Sequence, residues 1–328
     1  MIMITIGLEC ESSEGDSWGI GRTIKELLHE IELRPELKKE FKFIYYHKKN
    51  IPSFSLYYYI MLPIKIFLTK PDGVFFPNYM LPFGIFCKTI VTLTEDLYHE
   101  MHGTNLPWRY RIAYKIFSNH AARKATKINV YSKTSGREVA RLFGIDEKRI
   151  FVNYLGISQE SQEVKPLNSV LRGFTSQYIL YVGQMFPRRH ARETMLACKK
   201  LGVRLVMVGV DKYKPKLDID VEHYERVSEE KLAELYKNAK LFIYVSDTEA
   251  FGLPPLEALS YGVRPLVADT PISHELLGDD AIYCEPTVDG IADGIRRGLA
   301  STKSTPTIKF TWKAHADRFL KLAVSLCK

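Results

Sequence analysis

The chain has 328 residues, which exceeds one average domain and suits two of about 150 residues each. Its 46% hydrophobic and 26% charged content is that of a soluble globular protein, and its five cysteines lack the paired spacing of a zinc site or a disulfide framework. The net charge of +8 comes without a helix-turn-helix, zinc or RNA-recognition pattern, so nucleic acid is not an expected partner. A basic solvated surface and a face toward anionic lipid both remain as readings of the charge.

Strand-like and helix-like segments alternate from end to end, as in parallel sheets covered by helices on both faces. MIMITIGLE reads as a first strand over Met3–Leu8 rather than as a signal peptide. Gly15-Asp-Ser-Trp-Gly19-Ile-Gly21-Arg22 then opens a helix over Thr23–Glu32. Glycines there would let a ligand approach the backbone, and a helix N-terminus favours negative charge. Further strands are expected at Phe41–Tyr46, Gly73–Phe76, Thr89–Leu93, Ile128–Tyr131 and Ile150–Asn153, with helices at Pro107–His120 and Ser135–Leu142. The apolar, aromatic stretch Phe54–Leu68, with Lys48, Lys49, Lys65 and Lys70 around it, is too short to span a bilayer. It reads as a core helix or as an interfacial segment. Residues 1–158 form the expected first domain, and the polar residues 159–177 the linker. A second alternation begins with strands at Tyr178–Val182, Leu205–Val208, Leu241–Val245 and Pro265–Ala268, defining a second domain over 178–311.

The most informative stretch is Ser246-Asp-Thr-Glu249-Ala-Phe251-Gly252-Leu253-Pro254-Pro255-Leu256-Glu257-Ala258. The apolar run LFIYVS before it suits a buried parallel strand, and Pro255 is tolerated in the first turn of the helix after it. Strand, glycine turn and helix place backbone N–H groups where anions bind, with Glu249 in the turn and Glu257 in the helix facing one crevice. A phosphate site flanked by two carboxylates suits a sugar nucleotide, whose diphosphate needs donors and whose hydroxyls need acceptors. The Glu-x7-Glu spacing alone is a weak signal; the intervening Phe-Gly-Leu-Pro makes it specific.

On these residues the chain resembles the family-4 retaining glycosyltransferases of the GT-B fold. The likeness continues through Gly262-Val-Arg-Pro265, His274-Glu275-Leu and Phe310-Thr-Trp312. It implies an α/β architecture of two doubly wound Rossmann-like domains with a cleft between them, and a C-terminal helix over 312–328 that returns to the first domain. It also implies that Glu249 meets donor sugar hydroxyls, that the N–H groups of Phe251, Gly252 and Leu253 meet sugar or phosphate, and that Glu257 holds the ribose. Gly19 and Gly21 correspond to the family's loop over the donor diphosphate. The family's Gly-Arg and Arg-Lys cations correspond to Gly183-Gln184 and Arg188-Arg189, so Gln184 stands where the first arginine is expected. Arg189 keeps the lysine's charge and adds bidentate capacity. After the fourth strand the family's histidine-aspartate pair falls on Glu95 and Asp96, which is a change of chemistry, with His99 and His102 downstream. Gly209, Val227 and Ser228 correspond to loops near the base.

The activity implied is a retaining, metal-independent hexosyltransferase of the mannosyltransferase branch, acting in surface polysaccharide synthesis without a cofactor. Its donor is a nucleoside diphosphate sugar, GDP-mannose first, and its acceptor a glycan or a lipid-linked saccharide. The setting expected is cytoplasmic, peripheral on the inner membrane face where an anionic surface is met. Gln184 and Glu95 motivate two other readings, a nucleotide-sugar-binding protein without transfer and a GT-B-fold epimerase.

Overall fold

The computed structural model describes residues 3–14, 19–49, 51–102, 107–157, 178–210, 221–301 and 309–327. The expected linker over 159–177 lies outside the described residues, as do residues 15–18 of the glycine-bearing run 15–22. The chain forms two compact units, Met1–Gly156 with Phe310–Lys328, and Ile157–Lys309.

In the first unit the strands are β1 (Ile4–Glu9), β2 (Phe41–Tyr46), β3 (Gly73–Phe76), β4 (Lys88–Thr92), β5 (Lys127–Val130) and β6 (Ile150–Val152). They pair in parallel in the order β2-β1-β3-β4-β5-β6. Strand β3, GVFF, is buried throughout, as a parallel strand with both faces covered requires. The helices are α1 (Ile20–Glu32), α2 (Phe54–Leu56), α3 (Leu62–Thr69), α4 (Glu95–His102), α5 (Trp108–Lys124) and α6 (Lys133–Phe143). A π-turn over Tyr57–Met61 joins α2 to α3. The Phe54–Leu68 stretch is therefore helical, and it divides by face. Tyr57, Tyr58, Leu62 and Ile66 enter the core, while Leu56, Ile60, Ile64, Phe67 and Leu68 are exposed.

In the second unit the strands are β7 (Ile179–Val182), β8 (Leu205–Val208), β9 (Glu222–Tyr224), β10 (Leu241–Tyr244), β11 (Pro265–Ala268) and β12 (Ile282–Cys284). Their parallel order is β12-β11-β10-β7-β8-β9. The helices are α7 (Ala191–Leu201), α8 (Glu229–Asn238), α9 (Leu253–Ser260), α10 (Pro271–Leu277) and α11 (Val288–Ala300). Apolar clusters fill both faces of this sheet, one on α7 and α11, the other on α8 and α9.

The last helix, α12 (Trp312–Cys327), belongs to the first unit. Its Ala316, Phe319 and Leu320 join Ile6, Leu8, Ile24 and Leu27 in one core cluster, and Phe319 lies 5.1 Å from Phe75, ring to ring. Where the chain leaves this unit and where it re-enters are in contact: a Cβ on Gly156 would sit 2.1 Å from the Trp312 nitrogen.

Each sheet reverses its winding once. In the first the reversal lies between β1 and β3, and in the second between β7 and β10. Loops leaving the carboxyl ends of such a strand pair diverge to opposite faces and leave a crevice where ligands bind.

Candidate active site

The loops after β7 and β10, the two strands at the reversal, carry the charged groups that the sequence singled out. After β7, Gly183 turns with φ 146° and the chain runs through Gln184 to a 3-10 turn, Pro187–Arg189, that leads into α7. After β10 comes the Ser246–Gly252 turn, in which Gly252 at φ 79° caps α9. A left-handed cap of that kind is cheap only for glycine.

Both arginines converge on one carboxylate. Arg188 Nη1 donates to Glu249 Oε1 at 2.8 Å and to the Thr248 carbonyl at 2.9 Å. Arg189 forks onto the same group, with Nε to Oε1 at 2.8 Å and Nη2 to Oε2 at 3.2 Å. The Tyr244 hydroxyl and Ser246 Oγ also donate to Oε1, at 3.1 and 3.0 Å. All three charged side chains are largely buried, between 14% and 18% exposed. Burial alone would raise the Glu249 pKa, but the two guanidinium groups outweigh it and hold the carboxyl at about 2. Burial likewise opposes the charge on Arg189, and the Glu249 carboxylate reverses that effect, so its pKa is raised. The Arg189 guanidinium also lies over the rings of Tyr244 and Phe186, at 5.1 and 5.3 Å. Two cations thus share one anion in a shielded crevice, which leaves a net positive charge for an anionic ligand.

The supporting contacts fix this arrangement. The Gln184 carbonyl accepts from Arg189 Nη1 at 3.2 Å, so this residue contributes through its backbone. His190 adopts φ 44°, unusual for a non-glycine residue, and its Nε2 lies 2.8 Å from Asp247 Oδ1. The Asp247 N–H in turn donates to the Arg188 carbonyl at 2.9 Å, tying the two loops together. At Gly209 a Cβ would lie 2.0 Å from the Gly183 carbonyl oxygen, so the turns after β7 and β8 meet only because a side chain is absent.

A cavity beside Glu249 is lined by Ser246, Phe251, Gly252 and Pro255 and by Ile272 and Ser273 of α10. Glu257 is not among its lining residues. It is buried, and its Oε2 accepts from the Tyr236 hydroxyl of α8 at 3.1 Å. Glu249 thus stands in the loop, while Glu257 on α9 is held by the Tyr236 hydroxyl of α8.

In the first unit, Gly19 takes φ 75° as the cap of α1, and Gly21 is buried in its first turn. Glu95 opens α4 and is 5% exposed, its Oε2 accepting from the Ser135 hydroxyl of α6. That contact commits the carboxylate to the interior of its own unit. Asp96 beside it is half-buried, and His99 and His102 are exposed on α4. The sequence reading gave no role to Tyr244, Ser246, Asp247 or His190; a tyrosine hydroxyl in the apolar run LFIYV was the available signal. Among the described residues no three His, Cys, Asp or Glu side chains are grouped to hold a metal ion.

Residues 170–308 match the family described as Glycosyl transferases group 1. O-antigen chain mannosyltransferase B of Escherichia coli is 28% identical over 252 residues, which cover 68% of this chain and 64% of that protein. O-antigen chain mannosyltransferase RfbU of Salmonella typhimurium is 24% identical over 189 residues, 54% of this chain and 51% of the relative. The chain thus spans less than two thirds of the length of each. Among solved structures, a glycosyltransferase from Rickettsia africae superposes with a TM-score of 0.66 at 16% identity, over 99% of both chains. Anabaena Alr3699/HepE, solved with UDP and glucose, gives 0.68 at 14% identity, over 98% of this chain and 99% of that one. At such identities the structural likeness shows the fold. The matched segment of the second unit, the mannosyltransferase relatives and the two parallel sheets together make this chain similar to the glycosyltransferases of group 1, with the two-sheet GT-B fold.

Proposed function

We propose that this chain transfers a hexose, mannose from GDP-mannose first, to a glycan or lipid-linked saccharide in surface polysaccharide synthesis. The observation that carries the reading is the Arg188–Arg189–Glu249 constellation at the winding reversal of the second sheet. Two guanidinium groups supply planar donors suited to a diphosphate. As the bond from sugar carbon to phosphate oxygen breaks, negative charge grows on that oxygen, and cations fixed beforehand stabilise it. On this reading the arginines do what a metal ion does elsewhere, so the reaction is metal-independent. Glu249 orients both cations and lies at the cavity where the sugar hydroxyls would be received. Glu257 takes the ribose hydroxyls, and the configuration at the transferred carbon is retained. Mannose is favoured because two relatives bear mannosyltransferase names.

The test is a panel of GDP- and UDP-sugars, followed by titration calorimetry, release of nucleoside diphosphate and identification of the sugar product. Fastest release from GDP-mannose, unchanged by EDTA, is the expected result. Strict dependence on manganese or magnesium would remove the role given to the arginines. Binding without turnover would move the protein to the non-transferring class, and interconversion of the sugar to the epimerases. Glu257→Ala should weaken donor binding by about 1–3 kcal/mol, and unaltered affinity would withdraw the ribose assignment.

A further inference from the structure

The turn that presents Arg188 and Arg189 ends on a strained residue. His190 caps the N-terminus of α7 with φ 44° and ψ 37°, in the left-handed region. The other left-handed helix caps described in this unit, Gly202 and Gly252, are glycines. A Cβ crowds the backbone in that conformation, so a histidine persists there only where its surroundings outweigh the strain, and such residues gather at functional sites.

The imidazole ring supplies the reason. Its Nε2 lies 2.8 Å from Asp247 Oδ1 in the loop after β10, and its Nδ1 faces Glu193 Oε2 on α7 at 3.6 Å. The Asp247 N–H donates to the Arg188 carbonyl at 2.9 Å, and Arg188 and Arg189 reach Glu249 through their guanidinium groups. Arg188, Arg189 and His190 are thus each tied to the segment 247–249. The ties differ in what they use. Those to Glu249 employ the guanidinium N–H groups that a diphosphate would draw upon, and they must loosen when it does. The two ties to Asp247 involve no guanidinium donor, so they persist when an anion is bound.

We infer that His190 and Asp247 are positioning residues for the transfer reaction, holding the Arg188–Arg189 turn against the Glu249 loop while the guanidinium groups are engaged by a diphosphate. The role rests on the transfer activity proposed above. Cations fixed in advance stabilise charge that develops as the sugar–phosphate bond breaks, so loosening them costs turnover more than donor binding.

Four variants test the assignment. His190→Gly removes the ring and suits the backbone angle, and Asp247→Ala removes the acceptor, whereas His190→Gln and Asp247→Asn keep a donor and an acceptor in place. His190→Gly and Asp247→Ala should each lower kcat about tenfold or more while donor KM changes less than about threefold. The two conservative variants should recover most of that loss. The melting temperature of His190→Gly should stay near the parent's, because relief of the cap offsets the lost contact. A second readout needs no turnover. The Arg189 Nε–H, bonded to Glu249, should give a slowly exchanging proton–nitrogen NMR signal, identified by its loss in Arg189→Lys. Its exchange with water should quicken about tenfold in His190→Gly and Asp247→Ala and stay near the parent's in the conservative pair. Parent protein that turns over no sugar nucleotide would withdraw the proposed reaction, and the exchange rates alone would then decide whether the contact holds Arg189. Unchanged exchange in both disruptive variants would overturn the inference, and so would a raised donor KM with kcat unaltered, the mark of a plain binding contact.

Discussion

At the carboxyl end of β1, Glu9 is fully buried: one oxygen accepts the Glu11 N–H at 2.8 Å, and the other has no hydrogen bond among the described residues. At the turn after β10, Glu249 is nearly as enclosed but receives two arginines, a tyrosine and a serine. Both positions stand at a winding reversal. Burial pushes the Glu9 carboxyl up to about 8, helped by Glu11 and Glu14 and opposed by its backbone hydrogen bond. Cations hold the Glu249 carboxyl at about 2. One fold, used twice, keeps one glutamic acid protonated and the other ionised at neutral pH, and the difference is whether cations were placed beside it.

Removing the cation is the largest way to break that contrast. Arg189→Ala should lower turnover about a hundredfold or more and cost about 3–5 kcal/mol of stability, because it leaves a shielded carboxylate with one fewer partner. Kinetics and chemical denaturation measure both, and a variant as stable and active as the parent would show the pair to be idle. Next in size is acid sensitivity. Glu249 titrates near 2 when folded and near 4.5 when unfolded, so the unfolded chain binds the extra proton between those values. Its contribution, about 2–4 kcal/mol, is present above pH 4.5 and lost as pH falls toward 2. Glu249→Gln should flatten that part of the stability profile, and its turnover should fall more than its donor affinity.

Glu9 supplies the opposite slope. Its folded pKa lies above its unfolded one, so the folded chain holds the extra proton between about pH 4.5 and 8. Stability should decline across that window by at most about 1.4 kcal/mol per pH unit. Glu9→Gln, neutral at every pH, should remove the decline; a profile unchanged by the substitution would mean that Glu9 is ionised when folded.

Much of this was legible because local composition decides it. Runs such as LFIYV and GVFF could only be buried parallel strands, and their alternation with helices implied the two sheets. The short edge strands β9 (EHY) and β12 (IYC) were not, since three residues give no periodicity and their pairing comes from neighbours. Glu249, Arg188 and Arg189 stood out from their motifs. Their shared ion pair joins positions sixty residues apart, a distance only the tertiary fold closes. Glu257 shows the converse: its place in the motif was plain, but which way α9 would turn it depended on packing against Tyr236. The Phe54–Leu68 stretch was ambiguous between core and surface because it is both, one face each.

The contact between Gly156 and Trp312 bears on how the molecule is made. The second unit is inserted into the first, so ribosomes deliver the last helix of the first unit only after the whole second unit has emerged. Until then Ile6, Leu8, Ile24 and Phe75 lack the cover of α12. The second unit can fold on its own schedule during synthesis, whereas the first must wait for α12, holding an uncovered apolar surface that chaperones would recognise.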